Sequence, residues 1–208
     1  MPRFLVVLDV DSTLIEDEAI ELLAAEAGSL DRVADVTARA MNGELDFAAS
    51  LRERVATLAG LSTDVFPRVG ERIRITRGVP ELIAGVRAAG GAVAVVSGGF
   101  HELLDPLASR LGLDRWEANR LETAGGVLTG RVDGPVVDAR SKATAVDRWR
   151  AEFGATAVVA IGDGANDLLM MERAELSIAF DAKAPVRERA DLVLDERDLS
   201  RVLPLLGL

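Results

Sequence analysis

A chain of 208 residues, 49% hydrophobic and 28% charged, has enough apolar material for one full-sized core, or for a core with a small appended lobe. Its formal net charge of −10 repels a phosphate backbone over most of the surface, which sets nucleic acid aside as a partner. The chain has no cysteine, which excludes disulfides, thiolate metal sites and cysteine nucleophiles.

The N-terminal segment MPRFLVVLDVDST has one basic residue and an apolar run too short for a signal-peptide core. No later run reaches the length of a membrane span, so the expectation is a cytoplasmic enzyme with no membrane partner. Phe4 to Leu8 is continuously apolar and rich in β-branched residues, as in a strand buried on both faces of a parallel sheet. From about Glu16 to Arg74 the periodicity is helical throughout, which predicts three or four helices inserted after the first strand. The expected division is a helical cap over residues 15–75 and a core built from residues 1–14 and 76–208. Pro80 to Ala89 reads as a helix, Ala92 to Val96 as a second strand, and His101 to Leu111 as a helix. Between Trp116 and Val137 the runs shorten around Gly125-Gly126, a hairpin signal that ends at Gly134-Pro135. A helix over Lys142 to Phe153 precedes a strand at Ala157 to Ile161, and Asp167 to Ala174 is again helical. Leu176 to Phe180 and Leu192 to Leu194 are weaker strand candidates. Such alternation predicts the α/β class: a doubly wound, mainly parallel sheet with right-handed crossovers, an inserted helical cap and a small β-hairpin.

Three of the strongest strands end in small polar residues. The first runs into Asp9-Val10-Asp11-Ser12-Thr13, the second into Ser97-Gly98-Gly99, and the third into Gly162-Asp163-Gly164, followed by Asn166 and Asp167. Each alone reads as a βα turn. Together they describe a pocket outside the carboxyl ends of the strands, where ligands bind in open α/β sheets and backbone N–H groups face an anion. Asp9, Asp11, Asp163 and Asp167 in one pocket repel each other unless a cation sits among them. The donors are all oxygen, which suits Mg²⁺ together with a phosphate. Lys142 is placed to add a fixed positive charge, although an isolated lysine at such a position is ordinarily a surface residue.

In order and strand context, DVDST, SGG, the later lysine and GDGANDLLM resemble the haloacid dehalogenase (HAD) superfamily of phosphatases, over nearly the whole chain from Phe4 to about Leu203. The DxDST form, SGGF and the EANRLE segment are similar to the branch that acts on phosphoserine. The resemblance implies a Rossmann-like core and Mg²⁺-dependent hydrolysis of O-phosphoserine to serine and phosphate, an activity that completes serine biosynthesis. It makes Asp9 the nucleophile, through an aspartyl-phosphate, and Asp11 the general acid and base. Asp9, the backbone carbonyl of Asp11, and Asp163 would hold the metal, with Asp167 acting through water. Lys142, Ser97, Gly98 and Asn166 would meet the phosphoryl group. Another small phosphomonoester such as phosphohomoserine, or transfer to a second alcohol, would use the same residues. Some members of this branch carry a regulatory domain ahead of the catalytic one. This chain begins just before its first strand, so amino-acid feedback through such a domain is not expected.

The resemblance assigns the amino group and carboxylate of the substrate to Glu18 and Arg54. At roughly 100° per residue, Phe47, Leu51, Arg54 and Leu58 project within about 60° of one another, whereas Arg52 falls on the opposite side. Arg54 on an inward face needs an anion, either a substrate carboxylate or a protein one, unless its stem lies along the cap edge. Glu18 borders the stripe of Ile15, Ala19, Leu22 and Leu23, and by residue type alone reads as solvated. Met41 and Phe47 resemble the family's apolar cap contacts, with plain core packing as the alternative. His101, the sole histidine, reads as an exposed first-turn residue, because a two-aspartate mechanism does not require it. An inserted lobe over a phosphoryl-transfer site is expected to move so as to exclude water. The residues leave monomer and homodimer both open.

Overall fold

Short apolar runs set the centre of a seven-stranded sheet in the computed structural model, which describes residues 4–41 and 44–208. The strands are β1 (Phe4–Leu8), β2 (Ala92–Phe100), β3 (Arg115–Ala124), β4 (Val127–Asp133), β5 (Ala157–Gly162), β6 (Leu176–Phe180) and β7 (Leu192–Leu194). They lie in the order β4-β3-β2-β1-β5-β6-β7. β1 is central, with Val7 opposite Ala94 of β2 on one side and Ala160 of β5 on the other. The sheet is parallel except between β3 and β4. Gly125 and Gly126 join that hairpin at φ of 59° and 79°, the left-handed pair a tight hairpin requires.

The ten helices among the described residues are α1 (Ala19–Ala27), α2 (Leu30–Met41), α3 (Phe47–Ala56), α4 (Val65–Gly70), α5 (Val79–Ala88), α6 (His101–Leu111), α7 (Ala139–Phe153), α8 (Leu168–Met171), α9 (Ala184–Arg187) and α10 (Val202–Leu205). None is long and apolar enough to cross a membrane. Alternation along β1 splits the core. Leu5 and Val7 join Val146 and Trp149 of α7, Met170 and Met171 of α8 and Val186 of α9. Val6 and Leu8 join α5, α6 and the helices of the insertion.

Two details depart from the sequence reading. β2 continues through Ser97, Gly98 and Gly99 to Phe100, so this segment belongs to the strand and not to the turn after it. Val96 lies opposite Glu117 and Phe100 opposite Asn119, so β2 bulges there relative to β3. Asn119 is buried beneath the bulge, donating to the Gly98 carbonyl at 2.8 Å and accepting from the Val137 amide at 2.8 Å. The hairpin, expected as a small part of the core between Trp116 and Val137, also lengthens the sheet by placing β3 against β2.

Helices α1 to α4 occupy the stretch between Leu14 and Thr76, after β1 and before α5. Its two connections to the sheet are bonded together: Thr76 donates to the Leu14 carbonyl at 3.0 Å, and Glu16 to the Arg74 carbonyl at 2.9 Å. Asp17 accepts from the Arg74 amide at 2.8 Å and from its guanidinium at 2.7 Å. Farther out, Gly60 and Leu128 pair with the hairpin and the insertion through bonds of 2.8 Å and 2.9 Å. Leu23, Val33, Leu51, Val55, Leu58, Val65 and Val69 share one apolar cluster with Val6, Leu8 and Ile161 of the sheet. Leu23→Ala is therefore expected to cost about 2–5 kcal/mol in urea unfolding, within a single transition that melts helices and sheet together. An earlier separate transition for the helices would contradict this shared core.

Candidate active site

In the order β2-β1-β5-β6 the parallel strands finish along one edge of the sheet, and the clustered acidic residues follow the ends of β1 and β5. Asp9 comes directly after β1, its amide donating to the Ile161 carbonyl at 2.9 Å. Asp163 and Asp167 stand in the turn after β5. This turn folds back tightly: Asp167 Oδ2 accepts from the amides of Asp163 at 3.2 Å and Gly164 at 3.0 Å. A Cβ on Gly162 would stand 2.4 Å from that oxygen, so only glycine permits the approach.

Lys142 closes the group from below. Asp138 caps α7 by accepting from the Ser141 amide at 2.9 Å, so the helix starts at Ala139 and Lys142 falls in its first turn. The ammonium is fully buried and donates to Asp9 Oδ1 at 2.6 Å and Asp167 Oδ1 at 2.7 Å. Burial by itself would lower its pKa, but Asp167 and Asp9 raise it above the usual lysine value. The carboxylates bear the opposite strain. Burial, then Asp167, hold Asp9 well above the ordinary range against the pull of Lys142, and push Asp163 up to about 6. Oxygens of Asp9, Asp163 and Asp167 lie within 4.8 Å of one another, a set that can hold a metal ion. Asp9 Oδ2 takes no hydrogen bond from the described residues.

Asp11 lies in a different setting. Its Oδ1 accepts from the Ala19 amide at 2.6 Å and its Oδ2 from the Ser97 hydroxyl at 3.0 Å. Burial raises its pKa and these hydrogen bonds oppose the rise. Ser97 is buried, and its oxygen accepts from the Gly99 amide at 2.7 Å. The hydroxyl expected to meet a phosphoryl group thus points to Asp11.

Above these groups opens a pocket of about 140 Å³. Its walls include the expected Asp9, Asp11, Glu18, Phe47, Arg54, Gly98, Asp163 and Asn166, while Ser97, Lys142 and Asp167 lie behind them. Arg54 is half-buried on α3 whereas Arg52 is exposed, as the helical spacing requires. Its Nε donates to the Ser50 carbonyl at 3.3 Å, and no carboxylate among the described residues reaches ion-pair distance of its guanidinium. Burial lowers its pKa, opposed by Glu18 and Asp11. Phe47 opens α3 and lies over β2, so that a Cβ on Gly98 would stand 2.8 Å from its ring.

Glu18 precedes α1 instead of bordering its stripe, and is half-buried, not solvated. It accepts from the Ser12 hydroxyl at 2.7 Å, with Ser12 held at a left-handed φ of 58°. Burial and the nearby Asp11 push it up to about 7. The side chain of Met41 lies outside the described residues. His101, expected to be exposed, is half-buried: its Nε2 accepts from the Ala118 amide at 3.2 Å and its Nδ1 meets Asp105 at 2.6 Å. Those bonds tie α6 to β3 and leave the ring no part in the pocket. Sequence reasoning placed Gly99 and Gly164 at this pocket, and missed Ile20, Leu51, Phe100 and Lys183 on its walls. Lys183 had a signal, since it follows the carboxyl end of β6 as the aspartates follow β1 and β5.

Comparison with known proteins agrees with this geometry. The sequence profile described as haloacid dehalogenase-like hydrolase matches residues 6–172. The chain is 52% identical over 206 residues to a phosphoserine phosphatase of Streptomyces coelicolor, covering 98% of this chain and 50% of that one. It therefore spans about half the length of that relative. A phosphoserine phosphatase of Lactococcus lactis is 46% identical over 201 residues, with 96% of this chain and 93% of that one covered. A solved structure described as a phospho-aspartyl intermediate analogue of phosphoserine phosphatase superposes with a TM-score of 0.92 at 39% identity, over 99% of both chains.

The raised carboxyl pKa values set the sign of a pH effect. A carboxyl whose folded pKa exceeds its unfolded value binds its proton more tightly when folded, so its stabilising contribution is complete below the unfolded pKa and is lost as pH rises. With Asp163 at about 6, the metal-free protein loses stability between about pH 4 and pH 7. The loss amounts to at most about 3 kcal/mol from this group. In a chelating buffer the thermal midpoint is expected to be higher at pH 5 than at pH 7.5, and a divalent cation to raise it more at pH 7.5. A midpoint that climbs from pH 5 to pH 7.5 in chelator would count against the repulsion described here.

Proposed function

The chain belongs to the haloacid dehalogenase-like hydrolases, and within that family we propose that it hydrolyses O-phosphoserine through an aspartyl-phosphate on Asp9. One observation carries the reading. Asp9, with an oxygen that takes no hydrogen bond from the described residues, and Asp11 share a pocket with Arg54 and Glu18, the pair that complements a carboxylate and an ammonium. Asp9 Oδ2 attacks phosphorus while Lys142 fixes Oδ1. Asp11, held by Ala19 and Ser97 and raised by burial, gives its proton to the departing serine oxygen. As a carboxylate it then takes a proton from the water that attacks the aspartyl-phosphate, which releases phosphate and restores both residues. The Gly98 amide and Asn166 are assigned to phosphoryl oxygens, and Ser97 serves them by holding Asp11.

Asp9, Asp163 and the backbone carbonyl of Asp11 would hold a Mg²⁺ ion, with Asp167 acting through water because both its oxygens already accept hydrogen bonds. The all-oxygen donor set, with Lys142 as its ion-pair partner among the described residues, fits such an ion. When bound, it would neutralise charge on the transferring phosphoryl group. Arg54 would grip the substrate carboxylate bidentately. Glu18, near 7 without a ligand, would ionise beside the substrate ammonium. Phe47 and Leu51 supply the apolar wall. In this reading residues 15–75 form a cap over a core of residues 1–14 and 76–208, and settle over the substrate to exclude water.

Asp9→Asn is expected to abolish the hydroxylamine-labile phosphoprotein and lower kcat by a factor on the order of 10⁴ or more, with the fold retained by circular dichroism. Turnover within tenfold of the parent would sink the nucleophile assignment. Arg54→Met tests the substrate. It should raise KM for phosphoserine by roughly tenfold to a hundredfold, the scale of one lost charge-assisted contact, while leaving p-nitrophenyl phosphate nearly unchanged. Equal rates for phosphoserine and phosphohomoserine in the parent protein would remove the specific assignment and keep the chemistry.

A further inference from the structure

Lys183 lines the pocket, and neither the family resemblance nor the steps above use it. The composition of the chain makes it conspicuous. Of the 24 basic residues, 22 are arginines, and the two lysines are Lys142 and Lys183. Among the described residues, arginine makes every carboxylate ion pair outside those of Lys142 and His101. A chain that uses arginine almost everywhere thus keeps its ammonium groups at one pocket. The two cations are not equivalent. Guanidinium is a broad planar fork, whereas ammonium is a compact point charge with three donors on a flexible stem. Lys142 illustrates the difference, since its ammonium fits a sealed slot between two carboxylates.

The backbone holds Lys183 firmly while leaving its side chain exposed. After β6, Asp181 adopts a left-handed φ of 42°, a conformation that costs a non-glycine residue roughly 1–2 kcal/mol. That turn is closed by the Asp181 amide donating to the Leu194 carbonyl at 2.8 Å. The Lys183 amide then donates to the carbonyl of Asp163 at 3.1 Å, fastening this segment to the turn that carries the metal-binding carboxylates. On its other side Lys183 starts α9, its carbonyl accepting from Val186 at 3.0 Å. The side chain is therefore anchored beside Asp163. No carboxylate among the described residues comes within ion-pair distance of its ammonium, though the pocket wall holds Asp9, Asp11, Glu18 and Asp163. A dianionic ligand entering past these four acids needs a mobile cation at the entrance, and Lys142 is sealed beneath them.

We propose that Lys183 is a phosphate-binding residue, whose ammonium takes hold of the entering phosphomonoester from the solvent side of the pocket, opposite the buried Lys142. This rests on the reading that the pocket accepts phosphomonoesters, and it concerns capture of the phosphate rather than cleavage. The test uses Lys183→Met and Lys183→Arg in magnesium-containing buffer, with two readouts. One is the Kd of inorganic phosphate by calorimetry, and the other is kcat and KM for phosphoserine at several ionic strengths. In Lys183→Met, phosphate Kd and KM should rise together by about fivefold to twentyfold, as for one partly exposed charge-assisted contact, with kcat within about twofold. The decline of kcat/KM with salt should also become shallower, and Lys183→Arg should restore it. The residue is exposed, so neither variant disturbs the core. Phosphate Kd and KM within twofold of the parent in Lys183→Met would overturn the proposal, as would a parent protein that binds no phosphate. A parent that binds phosphate in a Lys183-dependent way yet leaves phosphoserine intact would instead overturn the substrate reading and uphold this one.

Discussion

The ammonium of Lys142, sealed between Asp9 and Asp167, is the contact on which the rest of the site depends. It joins three pieces of the fold: the end of β1, the turn after β5 and the first turn of α7. Each must be in register for one point charge to reach both carboxylates at 2.6 Å and 2.7 Å. Breaking such a buried group by removing one partner typically costs about 3–5 kcal/mol, because the remaining charge has neither water nor a counter-ion. Here the imbalance runs the other way too. Three carboxylates of the cluster have one ammonium in ion-pair contact, and burial, then Asp167, raises the pKa of Asp9 and Asp163. That excess leaves the cluster able to hold a cation instead of closing as an ion pair.

Two carboxylates two residues apart have been given different chemistry by their surroundings. Asp9 touches a cation and keeps an oxygen that takes no hydrogen bond from the described residues, which suits attack on phosphorus. Asp11 touches only neutral donors, the Ala19 amide and the Ser97 hydroxyl, and burial favours its protonated form. Burial raises the pKa of both carboxyls, so the division rests on their contacts, an ammonium for Asp9 and neutral donors for Asp11. The β2 bulge contributes to it. By carrying Ser97 to Gly99 within the strand, it aims the hydroxyl at Asp11, and Asn119 fixes the bulge from beneath.

The sheet was legible because its central strands are continuous apolar runs, and β1 has the expected ends, Phe4 and Leu8. Arg54 was legible by rotation alone, since helical spacing separates it from Arg52 without any tertiary information. Lys142 was not, because nothing local in SKATAV distinguishes a buried lysine from a surface one; its burial follows from contacts across 133 and 25 residues. Ser97 to Gly99 look like turn residues in sequence, and only the pairing with β3 keeps them in a strand. The environment of His101 depends on partners from β3 in the same way. Glu18 was misjudged for a geometric reason: a residue that caps a helix escapes the periodicity used to place it. Lys183 went unnoticed because β6 is a weak strand signal, so its end was not counted with the others.

The helical insertion does more than cover the pocket. The first amide of α1 donates to Asp11 at 2.6 Å, so the insertion supplies one of the two bonds that orient the proposed acid. The root of the insertion, where Thr76 meets Leu14 and Glu16 meets Arg74, lies within a few residues of that amide. A rotation of the whole insertion would strain this ladder, the paired segment at Gly60 and Leu128, and the Asp11 bond together. Losing the last of these leaves a buried carboxyl oxygen unpaired, at a cost of about 1–3 kcal/mol. Arg54 sits two helices farther along, away from that root. Movement near α3 can therefore change the proposed grip on a substrate carboxylate while the root ladder keeps Asp11 aligned, so the proposed recognition and the alignment of the proposed acid depend on different parts of one insertion.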